Sequence, residues 1–222
     1  FQKKIRTIIF QLSSRVEHLS VMPETSFLFL SNLNPMDVKN RNFTILSAAM
    51  GLYKYWNNWE ISMGMMMTGR TPDLDELYSD GPHLGTYSYE IGQPNLESEK
   101  TIGAELSLDY KTSKSEIRLT GYHNYSPNYH ISSVMGAGYE PGADWIEWGS
   151  GSSGWLYKYQ MKGLKAQING WESNFSYNLS KLIILGGNIS VTRGQNLSMN
   201  KPLEYMPPDK IQIPTAFDLK PL

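Results

Sequence analysis

Histidine, methionine and carboxylate side chains are the groups in this chain best suited to bind or transform a small molecule, and their spacing is unpromising for catalysis. The four histidines, His18, His83, His123 and His130, share no metal-ligand spacing. His123 and His130 could act together only if a loop folded back, and loop or interface positions are the commoner fate of such residues. Met63, Met65, Met66 and Met67 are soft thioether donors, yet they fall inside a strand pattern, where methionine is an adaptable apolar filler. Glu97 and Glu99 are alternate residues at a strand entrance, a place where carboxylates stay solvated. No Gly-x-Ser-x-Gly, His-Glu-x-x-His or phosphate-binding glycine loop occurs. The Asn-x-Ser/Thr matches at Asn174 and Asn188 fall within strand patterns and are expected by chance in a chain rich in Asn and Ser. No catalytic residue, metal or cofactor is therefore expected.

What positions the remaining polar groups is a period of two. In residues 100–111 the apolar side chains Ile102, Ala104, Leu106, Leu108 and Tyr110 share one parity, with Gly103, Glu105, Ser107 and Asp109 on the other. A period of two is a strand with one apolar and one polar face. The alternation resumes after a polar turn at 112–115, with Ile117, Leu119 and Gly121 set against Glu116, Arg118, Thr120 and Tyr122, so the pair forms a hairpin. Glu105, Asp109, Glu116, Arg118 and Glu172 fall on the polar parity, and the hairpin would set Asp109 near Arg118.

The same reading along the chain predicts eight antiparallel strands, at 6–19, 43–55, 60–68, 100–111, 116–126, 157–177, 182–192 and 210–219. In the first, Ile8, Phe10 and Leu12 oppose Gln11, Ser13, Arg15 and Glu17, and Phe27-Leu28-Phe29-Leu30 is a candidate short extension. Connections at 56–59, 112–115 and 178–181 are short, whereas those near 21–41, 70–99, 127–156 and 194–208 are long. The long 70–99 connection is expected to carry a helical turn at 73–77 behind Pro72. Long loops confined to one end are a feature of outer-membrane barrels, which have short turns on one side. Trp56 and Trp59, flanking Asn57-Asn58, suit a membrane interface, where an indole buries its ring and keeps its N–H wet.

Composition narrows the class further. With 222 residues and a net charge of −1, the chain offers no clustered basic face for nucleic acid. It has no cysteine, so disulfides and thiolate metal sites are excluded. No apolar run of about 18 residues occurs, which excludes a spanning helix; a spanning strand needs only about 9–11 residues, half of them polar.

The segment Gly-Arg-Thr-Pro-Asp-Leu-Asp-Glu-Leu-Tyr-Ser-Asp-Gly-Pro-His at 69–83, then Glu-Ile-Gly-Gln-Pro-Asn-Leu-Glu-Ser-Glu-Lys at 90–100, then a Glu-bearing strand, resembles the barrel of TonB-dependent outer-membrane receptors. Gly170-Trp171-Glu172 resembles the Gly-aromatic-Glu element of a later strand in that family. The resemblance implies an all-β, antiparallel transmembrane barrel segment, incomplete and lying in the C-terminal half of the barrel, with the N-terminal plug, first strands and last strands absent from this chain. It implies a bacterial outer-membrane location, no enzymatic activity, contact with outer-membrane lipid, and coupling to a TonB-type protein through the plug. The implied ligand is a scarce nutrient such as an iron chelate, haem or zinc. Within that resemblance, ligand contacts are expected at Arg70, His83, Tyr87, Tyr89, Trp145 and Trp148, and the charges at 105, 109, 116, 118 and 172 face the lumen. Two other readings stay open at this point: a self-contained eight-stranded outer-membrane barrel with a structural or adhesive role, closed between Ile8 and Ile213, and a soluble carbohydrate-binding β-sandwich.

Overall fold

A computed structural model describes residues 8–23, 37–83, 85–135, 145–147, 155–180 and 182–217. Its strands are β1 (Ile8–Val21), β2 (Arg41–Trp56), β3 (Trp59–Arg70), β4 (Asp80–His83), β5 (Ser88–Ile91), β6 (Glu99–Lys111), β7 (Ser115–Val134), β8 (Trp145–Glu147), β9 (Trp155–Asn178), β10 (Ile183–Asn196), β11 (Lys201–Pro202), β12 (Lys210–Gln212) and β13 (Thr215–Phe217). One helix, α1 (Leu74–Tyr78), stands in the connection between β3 and β6. The long strands pair in the order β1-β2-β3-β6-β7-β9-β10, all antiparallel, and β10 carries β11, β12 and β13 on its outer edge.

The expected strands are all present, and the differences lie at their ends. β7 runs to Val134, eight residues beyond the expected end at 126, because Pro127 sits at a bulge between Ser126 and Tyr129 instead of ending the strand. A bulge absorbs the missing proline donor and lets pairing with β9 resume. The last strand is split into β12 and β13 around Pro214, whose carbonyl still accepts a hydrogen bond of 2.8 Å from the Gly186 N–H. The 27–30 segment lies outside the described residues.

Register places the two parities on opposite faces of a single sheet. Leu106 faces Met63 on one side and Gly121 on the other, with Leu52 and Trp171 next in the same row. The polar row through Asp109 holds Glu60 and Arg118, then Asn174 and Asn188. Burial is inverted relative to a soluble core: Leu106 is 52% exposed and Phe10 63%, while Ser107, beside Leu106, is only 7% exposed. The polar face is knitted across strands by Ser107 to Thr120 at 2.8 Å, Tyr122 to Thr192 at 2.9 Å, and Arg118 to Asp109. Trp56 and Trp59 face each other across the 57–58 turn on the apolar side, and the Trp59 ring lies 4.5 Å from that of Tyr110.

Both alternative folds are overturned. A sandwich needs two packed sheets with apolar side chains inside, whereas here there is one sheet with its apolar side chains exposed. A self-contained eight-stranded barrel needs β1 to meet the final strand; among the described residues β1 pairs with β2 alone, and β12 and β13 pair with β10 alone.

Candidate functional site at the long-loop end

Because neighbouring long strands are antiparallel, the turns at 57–58, 112–114 and 179–182 share one end of the sheet and the long connections share the other. The 71–98 connection organises that end. It leaves β3 and returns to the adjacent β6, yet its β5 strand pairs in parallel with residues 157–160 of β9, on the far side of β6 and β7. It is a strap laid across two strands. Within it, α1 starts behind Pro72 as the sequence predicts, and β4 and β5 form a hairpin that the polar composition had concealed.

Side chains from the sheet hold the strap at both ends. Arg70, the last residue of β3, donates two hydrogen bonds of 2.7 Å to the Glu76 carboxylate of α1 and one of 3.2 Å to Glu99 at the start of β6. Burial alone would push the Glu76 carboxyl up; the Arg70 hydrogen bonds, the Asp73 N–H and the Arg70 charge outweigh it and hold the group below the usual carboxylate range. Arg41, the first residue of β2, donates to the carbonyls of Pro94 and Leu96 at 2.7 Å each. Asn128, at the β7 bulge, donates to the carbonyls of Glu97 and Ser98 at 3.0 Å. His130, its side chain wholly buried, donates from Nε2 to the Glu97 carbonyl at 2.7 Å. Its Nδ1 lies 3.5 Å from Glu76 and 3.8 Å from Glu99, without a hydrogen bond to either.

The residues expected to meet a ligand divide between these parts. Arg70 is committed to the two carboxylates at the root of the strap. Tyr89 is buried, its hydroxyl donating to Asp80 at 2.9 Å. His83 and Tyr87 are exposed at the tip of the β4–β5 hairpin; His83 Nδ1 lies 2.7 Å from Thr86 Oγ1 and 3.2 Å from Glu90, and Tyr87 is 78% exposed on a backbone with φ of 53°. Trp145 opens β8, where it is set opposite Tyr157, the β9 residue whose other neighbour is Ser88. Register therefore places β8 and the hairpin on opposite edges of the start of β9, with Arg70 apart from them. Trp148 lies outside the described residues. Of the charges on the polar parity, Asp109 pairs with Arg118 and Glu116 with Lys111 at 2.8 Å, while Glu105 and Glu172 share their face. His123 stands on the apolar face against Asn169, seven residues from His130 along one strand, so the two are roughly 20 Å apart. Among the described residues no group of three His, Asp or Glu side chains can hold a metal ion.

Sequence reading missed the clamps Arg41, Glu76 and Asn128. Arg41 and Asn128 act over separations of 30 residues or more, whereas Glu76 lies six residues from Arg70, and only that Arg-x-Pro-x-x-x-Glu spacing of 70–76 offered a local signal.

A family model described as TonB dependent receptor-like, beta-barrel, matches residues 8–220. The chain belongs to this family. It is accordingly a portion of a non-enzymatic barrel of the bacterial outer membrane, and its open sheet is a stretch of that barrel's wall. Among solved structures it is similar to the copper transporter OprC, at a TM-score of 0.75 and 20% identity over 97% of this chain and 30% of that one. It is also similar to the siderophore receptor PirA from Acinetobacter baumannii, at 0.56 and 11% over 96% and 38%, and to the FrpB iron transporter from Neisseria meningitidis, at 0.54 and 11% over 85% and 24%. These likenesses concern the fold. The chain spans well under half the length of each.

Proposed function

We propose that this chain is the wall and loop portion of a receptor that takes a scarce nutrient, such as an iron chelate, haem or zinc, across the outer membrane. Its apolar face meets lipid and its polar face, with Glu105, Asp109, Glu116, Arg118 and Glu172, lines the lumen. The long-loop end opens outside the cell. Energy comes from a TonB-type protein acting through a plug that lies outside this chain, and the fragment by itself transports nothing. The observation that carries the reading is the strap: an ordered, clamped connection spanning strand ends is what a ligand cup requires, and it stands at the end away from the short turns. His83 and Tyr87, at the exposed hairpin tip, are the side chains offered to a ligand, Trp145 and Trp148 are its further contacts, and Arg70 and Tyr89 fix the hairpin that carries His83 and Tyr87. That the similar structures include a copper transporter, a siderophore receptor and an iron transporter supports metal-linked cargo.

The test is growth of a strain lacking the gene on media limited in turn for iron, haem and zinc, with complementation by the full-length receptor. A defect confined to one nutrient and restored by the gene supports the reading. Equal growth of both strains on all three overturns it.

A further inference from the structure

Between the strap and the upper part of β9 lies a cleft of about 510 Å³. Its polar lining is Gln93, Asn95 and Glu97 from the strap, Asn128 from β7, and Gln160 and Lys162 from β9, with Leu96 and Met161 as apolar patches. We propose that this cleft binds an uncharged, hydroxyl-rich ligand of the sugar class. The inference rests on the reading that this end opens outside the cell, and it is independent of the nutrient carried.

Three observations carry the proposal. The first is the donor set. Four of the six polar lining groups are carboxamides; Asn128 spends its N–H donors on the strap, and Gln93, Asn95 and Gln160 are the amides whose donors and carbonyl acceptors match hydroxyl groups that donate and accept in turn. Gln160 Nε2 and Gln93 Oε1 are 3.5 Å apart, at the limit of a hydrogen bond, so both amides keep capacity for a ligand. The second is charge. Among the described residues Lys162 is the one cation in the lining and Glu97 the one carboxylate, too few positive groups for an anionic chelate and too few anionic ligands for a bare metal ion. The third is rigidity. Arg41 fixes the strap wall through the carbonyls of Pro94 and Leu96, Asn128 fixes it through those of Glu97 and Ser98, and β7 pairs with β9 through the same stretch. The cleft is formed before any ligand arrives, which lowers the ordering cost that weakens polar recognition.

The full-length receptor in detergent is applied to an array of neutral mono- to tetrasaccharides, and hits are titrated by calorimetry, with a ferric catecholate chelate and zinc ion as counter-probes. Saccharide binding that weakens at least tenfold in Gln93→Leu and in Gln160→Leu, and is unchanged in Lys114→Ala at the opposite end of the sheet, supports the site. Heat-modifiable gel mobility shows that each variant is a folded barrel. A folded receptor that captures no saccharide, or whose saccharide binding ignores both substitutions, overturns the site, as does cleft-dependent binding of the chelate or zinc alone. A growth defect in the nutrient experiment alongside an empty array removes this site and leaves the uptake reading standing; saccharide capture without any growth defect does the reverse.

Discussion

Glu76 concentrates the local chemistry of the strap, because one carboxylate receives both Arg70 hydrogen bonds and the Asp73 N–H at 3.0 Å. A carboxyl whose folded-state value is lowered stabilises the folded form above its unfolded value of about 4.3, and that contribution is lost as pH falls through the lowered value. Cleavage of the 71–98 connection by an acid-tolerant protease should therefore rise as pH drops below about 4. In Glu76→Gln the same connection should be cleaved readily at neutral pH and show a much flatter pH response. The cost of that substitution is about 1–2 kcal/mol, at the lower part of the range for charge-assisted hydrogen bonds because the Arg70 side chain is 45% exposed. Charges on the sheet obey a different rule, since the face decides their cost. Leu106→Arg places a cation on the apolar face and should cost about 2–4 kcal/mol at mid-depth, whereas Arg118→Leu on the polar face gives up one exposed ion pair worth about 1 kcal/mol or less. Urea unfolding in lipid vesicles would read both.

At the scale of elements, the strap depends on close backbone approach as much as on charge. Gly92 packs against α1 so tightly that an added Cβ would stand 2.5 Å from the Leu77 carbonyl carbon and 2.6 Å from the Tyr78 nitrogen. Gly92→Ala should push α1 away from the hairpin at a cost of about 1–3 kcal/mol and expose the amides of Gly92 and Gln93, now bonded to Ser79 and Glu76, to hydrogen exchange. The long strands themselves were legible from alternation, since parity is a local property and each strand carries at least four alternating positions. Their ends were less so. Pro127 reads as a breaker, and only tertiary pairing with β9 shows that a bulge accommodates it. The β4–β5 hairpin was hidden for a related reason: Asp80-Gly81-Pro82-His83 lacks β-branched residues, and it is held by its partner strands and not by its own propensity. Of the residues proposed to meet a ligand, the tip at His83 and Tyr87 could be named from residue type; that Tyr89 turns inward onto Asp80 and Arg70 is engaged by Glu76 and Glu99 depends on the path of the fold.

For the whole molecule the distinguishing property is which solvent each face meets. A spin label at Leu106 in the lipid-reconstituted receptor should be accessible to oxygen and shielded from a water-soluble quencher, and a label at Arg118 should show the reverse. Shielding of Leu106 from both reagents would mean a buried core and would contradict the inverted burial of the sheet. The arrangement also explains why family and location follow readily from this chain while cargo does not: lipid imposes one repeating pattern on every strand, whereas a ligand touches a few side chains on connections that differ freely in sequence.

The parallel pairing of β5 with β9 carries a consequence for the order of assembly. Residues 88–91 gain their partner strand only when residues 157–160, more than sixty positions later, are in place within the sheet. Until then the hairpin has α1 and its Arg70 root but no strand to lie on. The hairpin is thus completed only together with the stretch of wall that carries β9, and any intermediate lacking β9 would leave it without its partner strand.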